Sequence, residues 1–331
     1  MQTFKALLID EVDGKVSSAF ATLDETRLDP GAVTIRVAYS SVNYKDALAA
    51  TGAGKIIRRF PCIGGIDLSG TVIESADPRF TAGDPVIATS FDIGVAHHGG
   101  YSEIARVPGD WVVPLPAGLS LFDAMALGTA GFTAALAVVR MEENRLAPDN
   151  GAVIVTGATG GVGSLAVDIL AERGYHVVAL TGKESETDYL RGLGAAEVML
   201  RGSLDLAKIR PLDKARWAGA VDNLGGDVLA WIASTMAQGG TIASIGLAAS
   251  MSLNTTVAPF ILRGVSLLGI DSGYIREPYR SGVWQRLASD MRPPHLSRMS
   301  RRISFAELPA TFSEYIAGRA KGRVVVEIGG E

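Results

Sequence analysis

A single cysteine, Cys62, stands in a chain of 331 residues. It has no partner for an intramolecular disulfide, which points to a reducing compartment. It is expected as a small buried apolar residue rather than a nucleophile. Excess basic charge is missing too: 31 Lys and Arg against 35 Asp and Glu give a net charge of −4. With no basic cluster interleaved with aromatics, a nucleic-acid partner is excluded. Long apolar runs are absent as well. Residues Met1 to Asp10 carry neither the apolar core nor the cleavage pattern of a signal peptide. The longest uncharged run, Ala124 to Val139, is bounded by Asp123 and Arg140. It is too short to span a bilayer and reads as a buried helix. Together these absences predict a soluble, cytoplasmic protein without a membrane partner. There is also no internal repeat and no low-complexity segment.

What is abundant is glycine, with 39 residues, and the most telling cluster is Val153-Ile-Val-Thr-Gly-Ala-Thr-Gly-Gly-Val-Gly163. Val153, Ile154 and Val155 suit a buried parallel strand. Ala158-x-Gly160-x-x-Gly163 is then a dinucleotide fingerprint with alanine at its first position. Its glycines permit a tight turn, a close approach of backbone to pyrophosphate, and close packing of helix on strand. Ser164 to Gly174 carries apolar residues at helical spacing and stops on glycine, and Tyr175 to Leu180 follows as a second strand. The order strand, glycine turn, helix, strand predicts a Rossmann unit, with the helix N-terminus turned to the phosphates.

The end of that second strand selects the cofactor. An acidic residue there would bind the ribose 2′-hydroxyl of NAD. This chain has Thr181-Gly182-Lys183 instead, and Arg201 ends the next strand-like run, Glu197 to Arg201. A missing acid and a new cation predict NADP. Glu184 and Glu186 lie close by and pull the other way, and both cations could equally be solvated surface charges.

Two blocks of different character surround this unit. Before it, Thr34–Ser40, Gly70–Glu74 and Asp84–Ala88 read as short strands separated by turns. After it come the strands Gly219–Asp222 and Gly240–Gly246 with a helical pattern over Val228–Met236. Strands alternating with helices imply a parallel sheet covered on both faces. Val265–Ile270 is a candidate edge strand, Ser281–Leu287 is helical, and the last strand, Gly322–Ile328, is expected to return to the first block. The predicted class is α/β. A doubly wound Rossmann domain spans 122–263, and a β-rich domain is made from 1–121 and 264–331.

This arrangement resembles the medium-chain dehydrogenase/reductase superfamily over nearly the whole chain, and the β-rich domain then corresponds to its GroES-like catalytic domain. Ser41-Val-Asn-Tyr-Lys-Asp-Ala-Leu48, Gly65-Ile-Asp-Leu-Ser-Gly70 and Gly128-Thr-Ala-Gly-Phe-Thr-Ala134 resemble its zinc-free, quinone-oxidoreductase-like branch. Pro259-Phe-Ile-Leu-Arg-Gly-Val-Ser-Leu-Leu-Gly-Ile-Asp-Ser272 is similar to the NADPH-dependent acrylyl-CoA reductases within that branch. The resemblance implies reduction of acryloyl-CoA to propanoyl-CoA. It places Thr159, Gly160, Gly161 and Val162 at the pyrophosphate, and Thr181, Gly182, Lys183 and Arg201 around the 2′-phosphate. Leu247 would lie beside the cofactor, and Ile261 and Ser272 at its nicotinamide end. Arg323 would reach it from the last segment, and Tyr44 would stand where cofactor meets substrate. Read without the resemblance, Leu247 and Ile261 are core, Ser272 a turn and Arg323 a solvated charge.

The reaction asks for donors to a thioester oxygen that becomes an enolate, and for a proton at the α-carbon. Tyr44 is the candidate donor, with stacking on the nicotinamide as its other reading. Asn43 is a candidate oxyanion donor or a support for the tyrosine, and Asp67 a residue that orients polar groups. For both, a turn or cap role is the competing reading. Lys55, Arg58 and Arg59 could meet coenzyme A phosphates or form a solvated loop. No metal is expected. Asn43 stands where zinc relatives have cysteine, Ile66 replaces a histidine, and His97-His98 lack further ligands at metal spacing. The expected partners are a small acyl-CoA and a second copy in a homodimer paired through the edge strand. Quinone or enone reduction, and non-catalytic NADPH binding, are the alternatives.

Overall fold

Alternating burial sets the first strands. In the computed structural model, which describes residues 3–329, Thr3–Val12 (β1) pairs antiparallel with Lys15–Asp24 (β2) from Thr3↔Asp24 to Val12↔Lys15. Asp13 and Gly14 close the hairpin, both at positive φ (52° and 74°), as a two-residue turn of this hand requires. Phe4, Ala6, Leu7 and Ile9 are buried. Val33–Val42 (β3) is buried at every position except Arg36, and Asn43 then starts the helix Tyr44–Thr51 (α1). Cys62–Ile63 (β4) adds to β1. Asp67–Ser75 (β5), Pro85–Thr89 (β6), Ile104–Val107 (β7) and Val112–Pro114 (β8) supply further antiparallel strands.

The uncharged run 124–139 lies within one helix, Leu121–Glu143 (α2), which is kinked at Gly128 (φ 52°, ψ −157°). It is long and apolar enough to cross a bilayer, but 83% of its most apolar window is buried inside the protein. A parallel sheet follows. Its strands are Val153–Thr156 (β9), Val177–Thr181 (β10), Glu197–Leu200 (β11), Trp217–Asp222 (β12), Met236–Ser244 (β13) and Ser266–Gly269 (β14), in the order β11-β10-β9-β12-β13-β14. Its helices are Gly161–Glu172 (α3), Thr187–Gly192 (α4), Gly226–Thr235 (α5) and Ala258–Arg263 (α6). Every residue of β9, β10 and β12 is buried. Burial of each large apolar side chain there contributes about 1.5–3 kcal/mol. The strand order reverses between β9 and β12, the switch point at which such sheets bind ligands beyond their carboxyl ends.

The chain ends with the helices Tyr279–Leu287 (α7) and Leu296–Met299 (α8), the strand Ser300–Ser304 (β15), the helix Leu308–Ile316 (α9) and the strand Arg323–Glu327 (β16). β16 pairs antiparallel with β3, Val324↔Val42 to Glu327↔Tyr39. It completes a sheet of order β15-β16-β3-β5-β6-β8, with β7 also on β3. Two compact units result: Met1–Thr129 with Gly273–Ala288 and Leu296–Glu331, and Ala130–Ser272 with Ser289–His295. The stretch 264–272 falls in the second unit because β14 pairs with β13, Thr241↔Ser266 to Ser244↔Gly269.

Candidate active site

In the second unit the glycine turn leaves the carboxyl end of β9. Gly157 takes φ +57°, and its carbonyl accepts the Gly160 N–H at 2.9 Å. Gly160 is the N-cap of α3. A Cβ at Gly163 would lie 2.3 Å from the Gly157 oxygen and 2.7 Å from Ala158 Cα, so only glycine allows helix and turn to approach this closely. Thr159 is buried, whereas Gly160 is exposed and Gly161 and Val162 are half-buried at the first turn. The first N–H groups of a helix have no partner within it and carry partial positive charge. A small, bare, donor-rich turn of this kind fits a pyrophosphate. It is fastened from the next strand. Thr156 Oγ1 donates to Asp222 Oδ1 at 2.8 Å and accepts from Asn223 N at 2.9 Å, and the Asn223 amide reaches Thr156 O at 2.7 Å. Burial pushes the Asp222 carboxyl up. This clamp escapes a sequence reading because its members lie 66 and 67 residues apart.

The adjacent strand ends bring Arg201 beside the residue before Lys183. β10 and β11 pair Thr181↔Leu200, so the residues after them leave side by side. Thr181 is buried, and its hydroxyl accepts the Lys183 N–H at 3.0 Å. A Cβ at Gly182 would stand 3.6 Å from Arg201 Nη2, which puts that guanidinium over the bare glycine backbone. The site fits a phosphate next to the glycine turn. Glu184 and Glu186 belong to the short turn that follows. Leu247 and Ile261 are not core: they are 60% and 73% exposed, because the loop after β13 and the helix α6 hold them outside the sheet's packing. The Ser272 hydroxyl accepts from Thr133 Oγ1 at 2.7 Å.

The first unit holds a buried polar network under the start of α1. Tyr44 is the first residue of that helix and is half exposed. Asp67, fully buried, accepts at Oδ2 from Ser41 Oγ (2.6 Å), Asn43 Nδ2 (2.8 Å) and Thr129 N (3.0 Å), and at Oδ1 from Thr129 Oγ1. The Ser90 and Thr129 hydroxyls lie 2.9 Å apart. Asp46, also buried, accepts Asn43 N at 2.8 Å and Ile66 N at 3.0 Å. Burial first, and the charge of Asp67 second, push the Asp46 carboxyl up to about 7. Gly128 makes room: a Cβ there would meet Asp67 Oδ2 at 2.6 Å and Arg323 Nη2 at 2.7 Å.

Three expectations are corrected by this geometry. Arg323 is not a solvated charge. It is 1% exposed, and its guanidinium donates to Ala126 O (2.8 Å), Ser41 Oγ (3.0 Å) and Asn43 Oδ1 (3.2 Å). The Asn43 amide is not free for an oxyanion, because the two carboxylates take its N–H groups. The basic loop is largely neutralised. Arg58 pairs with Asp92 and Tyr274, and Arg59 with Asp29. Lys55 instead borders a cavity lined by Glu11 as well as Val16, Ile56, Ile57 and Phe60.

His97 and His98 serve the interior. Nδ1 of His98 accepts the Ile63 N–H at 3.0 Å, and the His97 ring lies 3.1 Å from Pro30 O. Burial lowers the His98 imidazole and pushes the Cys62 thiol up to about 12. Among the described residues, no group of three or more His, Cys, Asp or Glu is placed to hold a metal ion.

A GroES-like sheet unit joined to a doubly wound nucleotide-binding unit defines a class, and the comparisons agree. Residues 29–117 match the alcohol dehydrogenase GroES-like domain, and residues 161–289 the zinc-binding dehydrogenase domain. The chain belongs to the medium-chain dehydrogenase/reductase family, in its quinone-oxidoreductase-like branch. It is 49% identical to YhfP of Bacillus subtilis, a quinone oxidoreductase by name, over 98% of this chain and 99% of that one. A crystal structure of yhfP with NAD bound superposes with a TM-score of 0.96, at 48% identity over 99% and 100% of the two chains. Acrylyl-CoA reductase AcuI of Ruegeria pomeroyi is 46% identical over 98% of this chain and 99% of its own. The yhdH oxidoreductase of Salmonella enterica, crystallised with NADP, superposes with a TM-score of 0.95, at 47% identity over 98% and 99% of the chains.

Proposed function

We propose that this protein is an NADPH-dependent reductase of the activated double bond of a short enoyl-CoA, with acryloyl-CoA to propanoyl-CoA as its reaction. The observation that carries the cofactor is the juxtaposition of Gly182 and Arg201 beside Lys183, with no acid at the end of β10. The crystallised relative with NADP supports it. Near-half identity, end to end, with a protein named acrylyl-CoA reductase supports the substrate class.

Bound NADPH would supply the hydride. Lys183 and Arg201 hold its 2′-phosphate, and the turn Thr159–Val162 its pyrophosphate. Tyr44, exposed at the first position of α1, supplies the hydrogen bond or proton that the developing enolate needs. Asn43 and Asp67 support that turn from below and do not touch the reacting atoms.

A second reading, NADPH-dependent quinone reduction, is favoured by the name of the 49% identical YhfP. The two share every cofactor contact, so only the acceptor separates them. Stopped-flow oxidation of NADPH with acryloyl-CoA and with a quinone is the test. Rapid single-exponential oxidation with acryloyl-CoA and slow oxidation with the quinone is expected. The reverse order selects the second reading. Tight NADPH binding with oxidation by neither would mark a non-catalytic binder.

A further inference from the structure

We infer that Asp46 is a positioning residue of this site: its carboxylate, locked to Asp67 and Arg323 through Asn43, fixes the turn from which Tyr44 projects. The inference rests on the reductase reading only in its turnover measurements.

The argument starts from cost. A helix N-terminus needs one exposed Ser, Thr, Asn or Asp, whose cap contributes about 1 kcal/mol. This one uses two carboxylates, 2% and 0% exposed, and an arginine 1% exposed. Burying that many ionisable groups gains little stability over apolar packing of the same volume. What it adds is a single geometry. Asp46 Oδ2 takes both the Asn43 N–H (2.8 Å) and its side-chain amide (3.2 Å), while Oδ1 takes Ile66 N–H (3.0 Å). The same amide donates to Asp67 at 2.8 Å, and its oxygen accepts from Arg323 at 3.2 Å. Every polar group of Asn43's side chain is thereby committed, and Asn43 is covalently next to Tyr44. The other end of the clamp is the residue before Asp67, so the strand that carries one carboxylate is tied to the helix that carries the other. Tyr101 and Tyr315 are the further titratable groups that feel Asp46, both pushed up by burial first and by its charge as well.

The test is a cycle of Asp46→Asn and Tyr44→Ala, with amide hydrogen exchange on the full chain. The substitution turns one acceptor oxygen into a donor facing donors. Asp46→Asn should lower turnover with acryloyl-CoA roughly tenfold, the order expected of a modest misplacement, with the NADPH dissociation constant within about twofold. In the Tyr44→Ala background the same change should have no further effect on turnover. Asn43 and Ile66 amides should lose exchange protection while the β9 and β10 amides keep theirs. Unchanged turnover in Asp46→Asn, or an equal loss in both backgrounds, overturns the inference. So does unchanged protection at Asn43 and Ile66, a result that needs no substrate. Absent turnover in the wild type would sink the enoyl-CoA reading and leave the exchange result standing. If Asp46→Asn does not fold, Asp46→Glu, which keeps the charge and shifts it by one methylene, should show the same pattern at smaller size.

Discussion

The two units handle charge in opposite ways. On the proposed reading, the second unit would meet a phosphate with exposed backbone N–H groups and cations at the ends of neighbouring strands, so the ligand itself would complete the electrostatics. The first unit closes its charges internally: two buried carboxylates and a buried arginine are joined through a partly buried amide. The first arrangement is tolerant of what surrounds it but intolerant of any added atom. The second is tolerant of no loss, because each member removed leaves a buried partner unpaired. Substitutions in one half should therefore change cofactor affinity, and in the other turnover and pH behaviour.

Tyr44 gives the largest expected separation. Tyr44→Phe keeps the ring and removes the donor. Turnover with acryloyl-CoA should fall on the order of 10²-fold while NADPH affinity holds. Measuring turnover beside an NADPH fluorescence titration decides the matter. Full activity in Tyr44→Phe, with weakened NADPH binding in Tyr44→Ala, would make the tyrosine a stacking residue and shift the proton to another donor.

At the glycine turn the effect should appear in affinity and stability together. Gly163→Ala places a methyl 2.3 Å from the Gly157 oxygen, and overpacking of this kind costs about 1–3 kcal/mol. The melting temperature should drop by several degrees and NADPH binding weaken by roughly tenfold or more. Gly182→Ala meets nothing closer than 3.6 Å and should leave the fold intact. Calorimetry of both variants with and without NADPH checks this, and equal effects at 163 and 182 would remove the close-approach argument.

Lys183→Ala tests the cofactor choice itself. Charge-assisted bonds to a phosphate contribute about 1.5–3 kcal/mol. The KM for NADPH should therefore rise about tenfold or more, and that for NADH stay nearly constant. Equal losses for both would show that Lys183 supports the loop rather than reading the phosphate. The test matters because a 49% identical relative has been crystallised with NAD.

Why one half was legible in the sequence and the other was not follows from the same contrast. The dinucleotide turn is local: strand, glycines and the first residues of the helix occupy eleven consecutive residues, and β9, α3 and β10 form where the pattern predicts. The carboxylate network joins residues 41, 43, 46, 67, 129 and 323, which only the paired strands bring together. Asn43, Asp67 and Arg323 could be singled out there by family resemblance, but not their mutual contacts, and Asp46 was not singled out at all. A capping acid three residues into a helix was the available sign. The β1–β2 hairpin carried its own sign as well, Asp13-Gly14 between strand-like runs, though β2 is largely exposed and lacks a clean alternation. Leu247 and Ile261 mislead a burial argument because an apolar side chain on the surface looks like core in one dimension.

The last predicted effect is a pH dependence of stability, and it belongs to the buried network alone. Asp46 titrates near 3.8 in an unfolded chain and at about 7 in the folded one. Between those values the native state keeps a proton that the unfolded state has released. Stability then falls as pH rises, because the unfolded state binds fewer protons than the native state. This group's contribution is fully present below about pH 4, is lost progressively up to about pH 7, and is constant above. Asp46→Asn cannot titrate and should lack that slope. The gap between wild type and variant should accordingly be wider at pH 5 than at pH 8. Urea midpoints at both pH values for both proteins measure it, with m-values held constant as the control. Parallel profiles would mean that Asp46 stays ionised across this range, with Arg323 compensating both carboxylates rather than Asp67 alone.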